Sequence, residues 1–300
     1  MTLDQLRAFL WTARLGGVRK AARRLNLSQP AISTRIATLE AELKRPLFDR
    51  LPGRLQLTRQ GRMLLTYAEQ MLFVEDAIRA NVADPSEAEG LFRVGASETI
   101  AQSWLPDFLQ ALSARYPRVT LDLTVDISID LRAALLDRRL DLAFLMGPVS
   151  DFSVENAALP QFELQWFKSA AMGPVDLAHV PVISYSRQTR PYRELAETLA
   201  RRHGPGVRIY ASASLSAALQ MIAAGVAVGP YPPDLARPLV EAGRIVPFDA
   251  GFQPEPLVFT ASWLAEPRSH LIETGARLAQ EVAEGWASGR SESAITADPK

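Results

Sequence analysis

Gln29, Pro30, Ser33, Thr34 and Arg35 fall within two turns of a segment that reads as one helix. With Ile32 at the centre of that helix's buried stripe, Pro30, Ser33, Thr34, Ala37 and Thr38 point away from the core at 100° per residue, and Gln29 and Arg35 flank them. A Gln amide can make two hydrogen bonds to adenine, a Ser hydroxyl can serve either base type, and Pro30 and Ala31 offer apolar contact to a thymine methyl. Arg35 has Thr38 and Leu39, not acids, at its i+3 and i+4 positions, which leaves it for a phosphate or a base edge. Arg19 and Lys20 open the preceding helix and suit phosphate contact. Arg50 and Arg54 bracket the Pro52-Gly53 turn, where Arg suits phosphates and narrow minor grooves. The plainer alternatives are helix capping for Gln29 and Ser33 and solvated loop charge for Arg50 and Arg54.

A second group follows the strand-like run FRVGA, where Ser97-Glu98-Thr99 stands at a strand–turn–helix junction. Free N–H groups and the positive end of the helix dipole suit an anion there, and Ser97 and Thr99 add hydroxyl donors. Glu98 is out of place beside an anion. It either points outward or meets an amino or cationic group of a ligand. The plainer reading of each Ser and Thr is a helix N-cap.

The elements that must position these residues can be read from periodicity. Leu3, Leu6, Phe9, Leu10 and Ala13 form a helical stripe that Gly16-Gly17 ends. A short helix with Val18, Ala21, Ala22 and Leu25 inward leads through Asn26-Leu27 to Ser28, an N-cap, with Pro30 in the first turn. Ile32, Ile36, Leu39 and Leu43 continue that helix to about residue 44, and two short helices joined by a tight turn make a helix-turn-helix. Residues 46–58 predict a small β-hairpin or wing. A helix over about 58–83 carries Leu64, Tyr67, Ala68, Met71, Val74, Ile78 and Val82 on one apolar side, and a polar Pro/Gly linker follows at 84–90.

Beyond the linker, strands are predicted at 92–96, 119–125, 141–145, 163–171, 181–185, 207–211, 226–230 and 256–262. Helices are predicted at about 99–115, 129–138, 190–202, 214–224 and 267–286. This alternation implies mostly parallel sheets. The chain divides into residues 1–58, a DNA-binding head; 59–90, a linker helix and hinge; 91–287, a two-lobed α/β body; and 288–300, a disordered tail. Lobe 1 takes about 91–162 and 256–287 and lobe 2 about 163–255, with a candidate crossing near Gly147-Pro148 and a return near 255–260.

Composition narrows the function. The 300 residues are 48% hydrophobic and 22% charged, ordinary for a folded protein, with zero net charge. Residues 1–62 nevertheless hold 13 Lys/Arg against 4 Asp/Glu, a net of +9, and the remainder 20 against 29, a net of −9. A basic head on an acidic body fits one module that meets phosphate and another that does not. Zero cysteines exclude disulfides and cysteine chemistry, and three dispersed histidines (His179, His203, His270) give no metal cluster, so neither metal nor cofactor is expected. No run of 18 apolar residues suggests a membrane span and the N-terminus is unlike a secretory signal, so the expected location is cytoplasmic. Gly-x-Ser-x-Gly, Gly-x-Gly-x-x-Gly, P-loop and His-Glu-x-x-His patterns are absent, against an enzyme.

Ala21-Ala22, Leu25, Ser28-Gln29-Pro30-Ala31, Leu39-Glu40, Pro46-Leu47-Phe48, Arg50, Leu57-Thr58 and Gly61 together resemble the winged helix-turn-helix of LysR-type transcriptional regulators. Leu105-Pro106, Tyr116-Pro117, 140–144 (LDLAF) and 224–230 (AGVAVGP) extend the resemblance over nearly the whole chain. Arg19 departs from the family's frequent Thr or small polar residue. The resemblance implies a two-lobed body like periplasmic binding proteins, with an effector cleft between the lobes. Ser97, Glu98 and Thr99 would line it with Ser128 and with Gly147-Pro148 at the crossover, and Ser212 and Ser214 would supply matching anion donors from the far lobe. It further implies that the long helix dimerises, with double-stranded DNA, a small and anionic effector, a homodimer or homotetramer, and RNA polymerase as partners, and no membrane. The alternative is a solute-binding protein or ligand sensor with no DNA role, against which the basic head argues.

Overall fold

The computed structural model describes residues 1–51, 54–82 and 90–295. The chain separates into two compact units, residues 1–84 and 85–300.

In the first unit, helix α1 (Leu3–Leu15) starts at a capping box: Thr2 accepts from the Gln5 amide and the Gln5 side chain accepts from the Thr2 amide. Gly16 ends it at φ 66°, a left-handed conformation cheap only for Gly. Helix α2 (Val18–Arg24) follows, and Asn26, also left-handed at φ 52°, turns the chain into α3 (Gln29–Leu43). The Ser28 hydroxyl accepts from the Ala31 amide, the expected N-cap, with Pro30 in the first turn. Leu6, Phe9, Ala21, Ile32, Ile36, Leu39, Leu47 and Ala68 close one core.

Strands β1 (Phe48–Leu51) and β2 (Arg54–Leu57) pair antiparallel with Leu51 opposite Arg54, the expected wing; its Pro52-Gly53 tip lies outside the described residues. Helix α4 (Arg59–Val82) runs 24 residues, about 36 Å. Gly61 lets it start hard against the wing: a Cβ there would sit 2.2 Å from the Leu47 carbonyl oxygen. The apolar side of α4 is divided. Ala68 and Leu72 enter the core, whereas Met63, Tyr67, Met71, Val74 and Ile78 stay exposed. Val82's side chain lies outside the described residues.

The second unit opens with β3 (Gly90–Ala96), α5 (Glu98–Ala101), α6 (Leu105–Arg115), β4 (Val119–Val125), α7 (Ser128–Leu136), β5 (Leu142–Met146) and β6 (Val154–Ala158). It continues with β7 (Gln165–Ser169), β8 (Val182–Ser184), α8 (Arg190–His203), β9 (Ile209–Ala211), α9 (Leu215–Ala223), β10 (Gly229–Tyr231), α10 (Pro233–Glu241), β11 (Ile245–Pro247), β12 (Phe259–Leu264) and α11 (His270–Ile295). Lobe 1 is the sheet β4-β3-β5-β12-β6; lobe 2 combines β10-β7-β11 with β8-β9, joined by a parallel bridge from Val182 to Val228. Each lobe has one strand, β12 or β7, running against its neighbours. These two strands enter from the other lobe rather than through a helical crossover, and so the sheets are mixed rather than purely parallel.

The crossing lies at Phe162, bridged antiparallel to Leu257, and not at Gly147-Pro148, because β6 beyond them still belongs to the lobe 1 sheet. Gly147 is instead packed beneath β12, where a Cβ would come 2.0 Å from Thr260 Oγ1. Helix α11 reaches Ile295, so residues 288–295 are helical and not the expected disordered tail; residues 296–300 lie outside the described residues. Three elements escape the periodicity. The VENAA of β6 lacks a strand pattern, β11 has three residues, and α10 contains Pro238, ordinarily a breaker.

Lobe 1 is pinned by a buried ion pair. Asp141 accepts from Arg93 Nη2 at 2.7 Å, from Arg93 Nε at 3.1 Å and from the Arg93 amide at 2.7 Å, tying β3 to the turn before β5.

Candidate functional site

On α3, Gln29, Pro30, Ser33, Thr34, Ala37 and Thr38 are exposed while Ile32, Ile36 and Leu39 are buried, so the polar face is the expected one. The structure brings Arg19 and Gln29 together: Arg19 Nε donates to Gln29 Oε1 at 3.1 Å, linking the start of α2 to the first turn of α3. Lys20 is exposed beside them. Arg35 corrects the sequence reading, which considered acids on its own helix alone. Asp4 on α1 lies 3.0 Å from Arg35 Nη2, a partly exposed ion pair between elements distant in sequence. The side chains of Arg50 and Arg54 lie outside the described residues; their backbones place them in β1 and β2 at the wing.

In the second unit a cavity of about 160 Å³ opens between the lobes. Lobe 1 supplies Ser97, Glu98 and Thr99 at the end of β3, residues 125–128 at the end of β4, and Met146. Lobe 2 supplies Tyr185 and Ser186 after β8, Ser212–Leu215 at the start of α9, and Tyr231 at the end of β10; Leu257 and Phe259 come from the returning segment. Carboxyl ends of strands are where α/β sheets leave room for ligands, because each strand stops there and its loop turns away. Gly147 and Pro148 do not line the cavity. Met146, Leu257 and Phe259 are the apolar residues of that region that do.

Glu98 resolves the oddity of an acid at this junction. Its Oε2 accepts from the Leu215 amide at 2.6 Å, and its Oε1 accepts from Ser214 Oγ at 3.3 Å and from Gln102 Nε2 at 2.8 Å. A carboxylate of lobe 1 therefore sits on the N-terminus of α9 in lobe 2, where the helix dipole favours negative charge. A negative group of the protein's own thus already occupies the α9 N-terminus at Ser214. Ser214 also caps α9 through Ala217, and Ser212 Oγ is turned into its loop, donating to the Ser214 carbonyl at 2.8 Å and accepting from the Ser214 amide. Ser128 Oγ accepts from the Met146 amide at 2.9 Å, bracing the ends of β4 and β5.

Ser97 behaves differently. It stands at the N-cap of α5 but its hydroxyl makes no cap bond, and its buried Oγ has no hydrogen-bond partner among the described residues. Thr99 is buried beside it. Sequence reasoning missed Tyr185 and Tyr231. Their rings lie 5.3 Å apart and both hydroxyl oxygens are buried with no hydrogen-bond partner among the described residues. Burial above all pushes both phenols well above their usual pKa; the neighbouring Tyr231 and the Glu98 charge add to this for Tyr185, and the Glu98 charge for Tyr231. The only sequence signal is an aromatic at the end of a short strand, which reads equally as core. No group of three or more His, Cys, Asp or Glu residues is placed to hold a metal among the described residues, and no described helix is long and apolar enough to cross a membrane.

The architecture is thus a winged helix-turn-helix with a polar third helix, followed by a two-lobed α/β body around a cavity. The family models agree: residues 3–62 match the bacterial regulatory helix-turn-helix protein of the LysR family, and residues 85–284 match the LysR substrate binding domain. The chain belongs to the LysR family and is a DNA-binding transcriptional regulator with an effector-binding domain. The HTH-type transcriptional regulator CzcR of Bacillus thuringiensis subsp. konkukian is 30% identical over 247 residues, 82% of this chain and 85% of that protein. Full-length OxyR from Pseudomonas aeruginosa is similar in fold, with a TM-score of 0.67 at 23% identity, covering 95% of this chain and 97% of that one. CbnR, solved full length with its target DNA, has a TM-score of 0.59 at 22% identity, covering 94% of this chain and 100% of that one. The relatives named are regulators, not enzymes.

Proposed function

We propose that this regulator reads DNA through α3 and its wing and is switched by a small molecule held between the lobes of its second unit. The observation that carries the DNA role is the exposed polar face of α3 within a stretch, residues 1–62, of net charge +9. Ser33, Thr34 and Pro30 meet base edges. Gln29 does so as well, oriented by Arg19. Arg19, Lys20, Arg50 and Arg54 neutralise phosphates, and Arg35 reaches the backbone only by exchanging Asp4 for a phosphate. The exposed Met63, Tyr67, Met71, Val74 and Ile78 of α4 pair two copies, so that two heads address two half-sites. DNA as a partner gives the protein a cytoplasmic workplace, with RNA polymerase as the machinery it influences.

The support for the switch is the cavity itself, which residues of both lobes line, with the buried hydroxyls of Ser97, Tyr185 and Tyr231 beside it lacking a hydrogen-bond partner among the described residues. The expected free anion is not part of this reading, because Glu98 holds its place. A mobility-shift titration with DNA from upstream of the protein's own coding region tests the DNA role. Retardation that weakens steeply with salt is expected, since neutralised phosphates release counterions. Equal affinity from 50 to 200 mM salt would refute it.

A further inference from the structure

The charges around the cavity are all of one sign. Glu98 and Asp126 line it, and no Lys, Arg or His does so among the described residues. The α9 N-terminus, its strongest positive feature, is covered by Glu98. A carboxylate entering the cavity would be desolvated against two acids with no cation to meet it, the situation that most penalises a buried charge.

The remaining chemistry favours the opposite ligand. A carboxylate has about four lone-pair sites, and Glu98 uses three, for Leu215, Ser214 and Gln102. One stays open for a further donor. Glu98 also lies close enough to Tyr185 and Tyr231 for its charge to act on both phenols. Tyr231 is only 1% exposed, and its hydroxyl, like those of Tyr185 and Ser97, has no hydrogen-bond partner among the described residues. Each can accept from an N–H donor or donate to a ligand hydroxyl. The other walls are largely apolar, among them Met146, Leu257 and Phe259. A space of about 160 Å³ is close to the ~150 Å³ that encloses a benzene ring.

We propose that the cavity takes a compact apolar molecule carrying an amine, with Glu98 as the residue that selects positive over negative charge. The inference rests on the reading of the cavity as the effector site and adds the chemical class of the effector. Bound there, the ammonium shares a carboxylate that already spans the two lobes.

Benzylamine, benzyl alcohol and benzoate share a ring and differ in charge, which makes them suitable probes of the full-length protein at pH 7. Calorimetry and thermal shift should give benzylamine at least a 10-fold advantage over benzoate, with benzyl alcohol between them. Glu98→Gln keeps an oxygen for the Leu215 amide and removes the charge, so it should bring benzylamine to within about 2-fold of benzyl alcohol. Ala213→Trp, at an exposed position on the cavity wall, should abolish binding of all three. Benzoate binding as tightly as benzylamine, an unchanged amine preference in Glu98→Gln, or no binding of benzylamine to the wild type would each overturn the proposal. Benzoate preference that disappears in Ala213→Trp would remove the charge assignment and leave the cavity standing. Binding of every probe undiminished in Ala213→Trp would remove both.

Discussion

Replacing both Tyr185 and Tyr231 with Phe should make the second unit more stable and less responsive to ligand. Each hydroxyl oxygen is buried and has no hydrogen-bond partner among the described residues, while the rings pack at 5.3 Å. A buried hydroxyl without a partner costs about 1–3 kcal/mol, and Phe keeps the ring while removing that cost. Two such sites at the lower bound give about 2 kcal/mol, which for a unit of this size is a rise of roughly 4–8 °C in Tm. The pH dependence supplies a second signature. Both phenols titrate far above their usual value of 10 when folded. Below pH 10 they are neutral in both states and have no effect. Above it the unfolded chain loses their protons first, so stability falls as pH rises, by about 1.4 kcal/mol per phenol for each pH unit beyond 10. Calorimetric Tm measured from pH 7 to 11.5 should show this alkaline decline in the wild type and a shallower one in the double variant. A double variant less stable than the wild type at pH 7, or with an equally steep alkaline decline, would refute the assignment of unpartnered buried hydroxyls.

Other perturbations separate the roles of the two units. Asp141→Ala removes the carboxylate that accepts three hydrogen bonds from Arg93 and should cost about 1.5–3 kcal/mol, read by urea denaturation; a loss below about 0.5 kcal/mol would mean the pair is not holding β3 to β5. Met71→Asp with Ile78→Asp puts charge into the exposed apolar side of α4, and light scattering should report a smaller species; an unchanged mass would mean copies associate elsewhere. Ser33→Ala should relax base preference with little loss on random DNA, whereas Arg19→Ala should weaken specific and random sequences alike and also release Gln29. Equal losses for the two variants on both kinds of DNA would contradict this division.

The head was legible because its determinants are local. The Ser28 cap, the Gly16 stop and the spacing of Ile32, Ile36 and Leu39 act within a few residues, and they settle which face of α3 is polar before any tertiary contact forms. The strand–helix alternation that yields two lobes is likewise written in period and turn chemistry. Longer-range matters were decided by the folded structure. Arg35 found Asp4 across 31 positions, which no scan along one helix can see. Gly147 and Pro148 looked like a crossover, yet the chain crosses at Phe162 and Gly147 serves the packing of Thr260. The meaning of Glu98 lay furthest from reach. Its partner amide at Leu215 is 117 residues away, and an acid at an anion-binding junction makes sense only when the opposite lobe brings a helix N-terminus to it. Tyr185 and Tyr231 were equally hidden, because sequence tells that an aromatic ring is buried but not whether its hydroxyl finds a partner. That depends on what the fold brings beside each hydroxyl, and these two rings meet in one lobe from strands far apart along the chain.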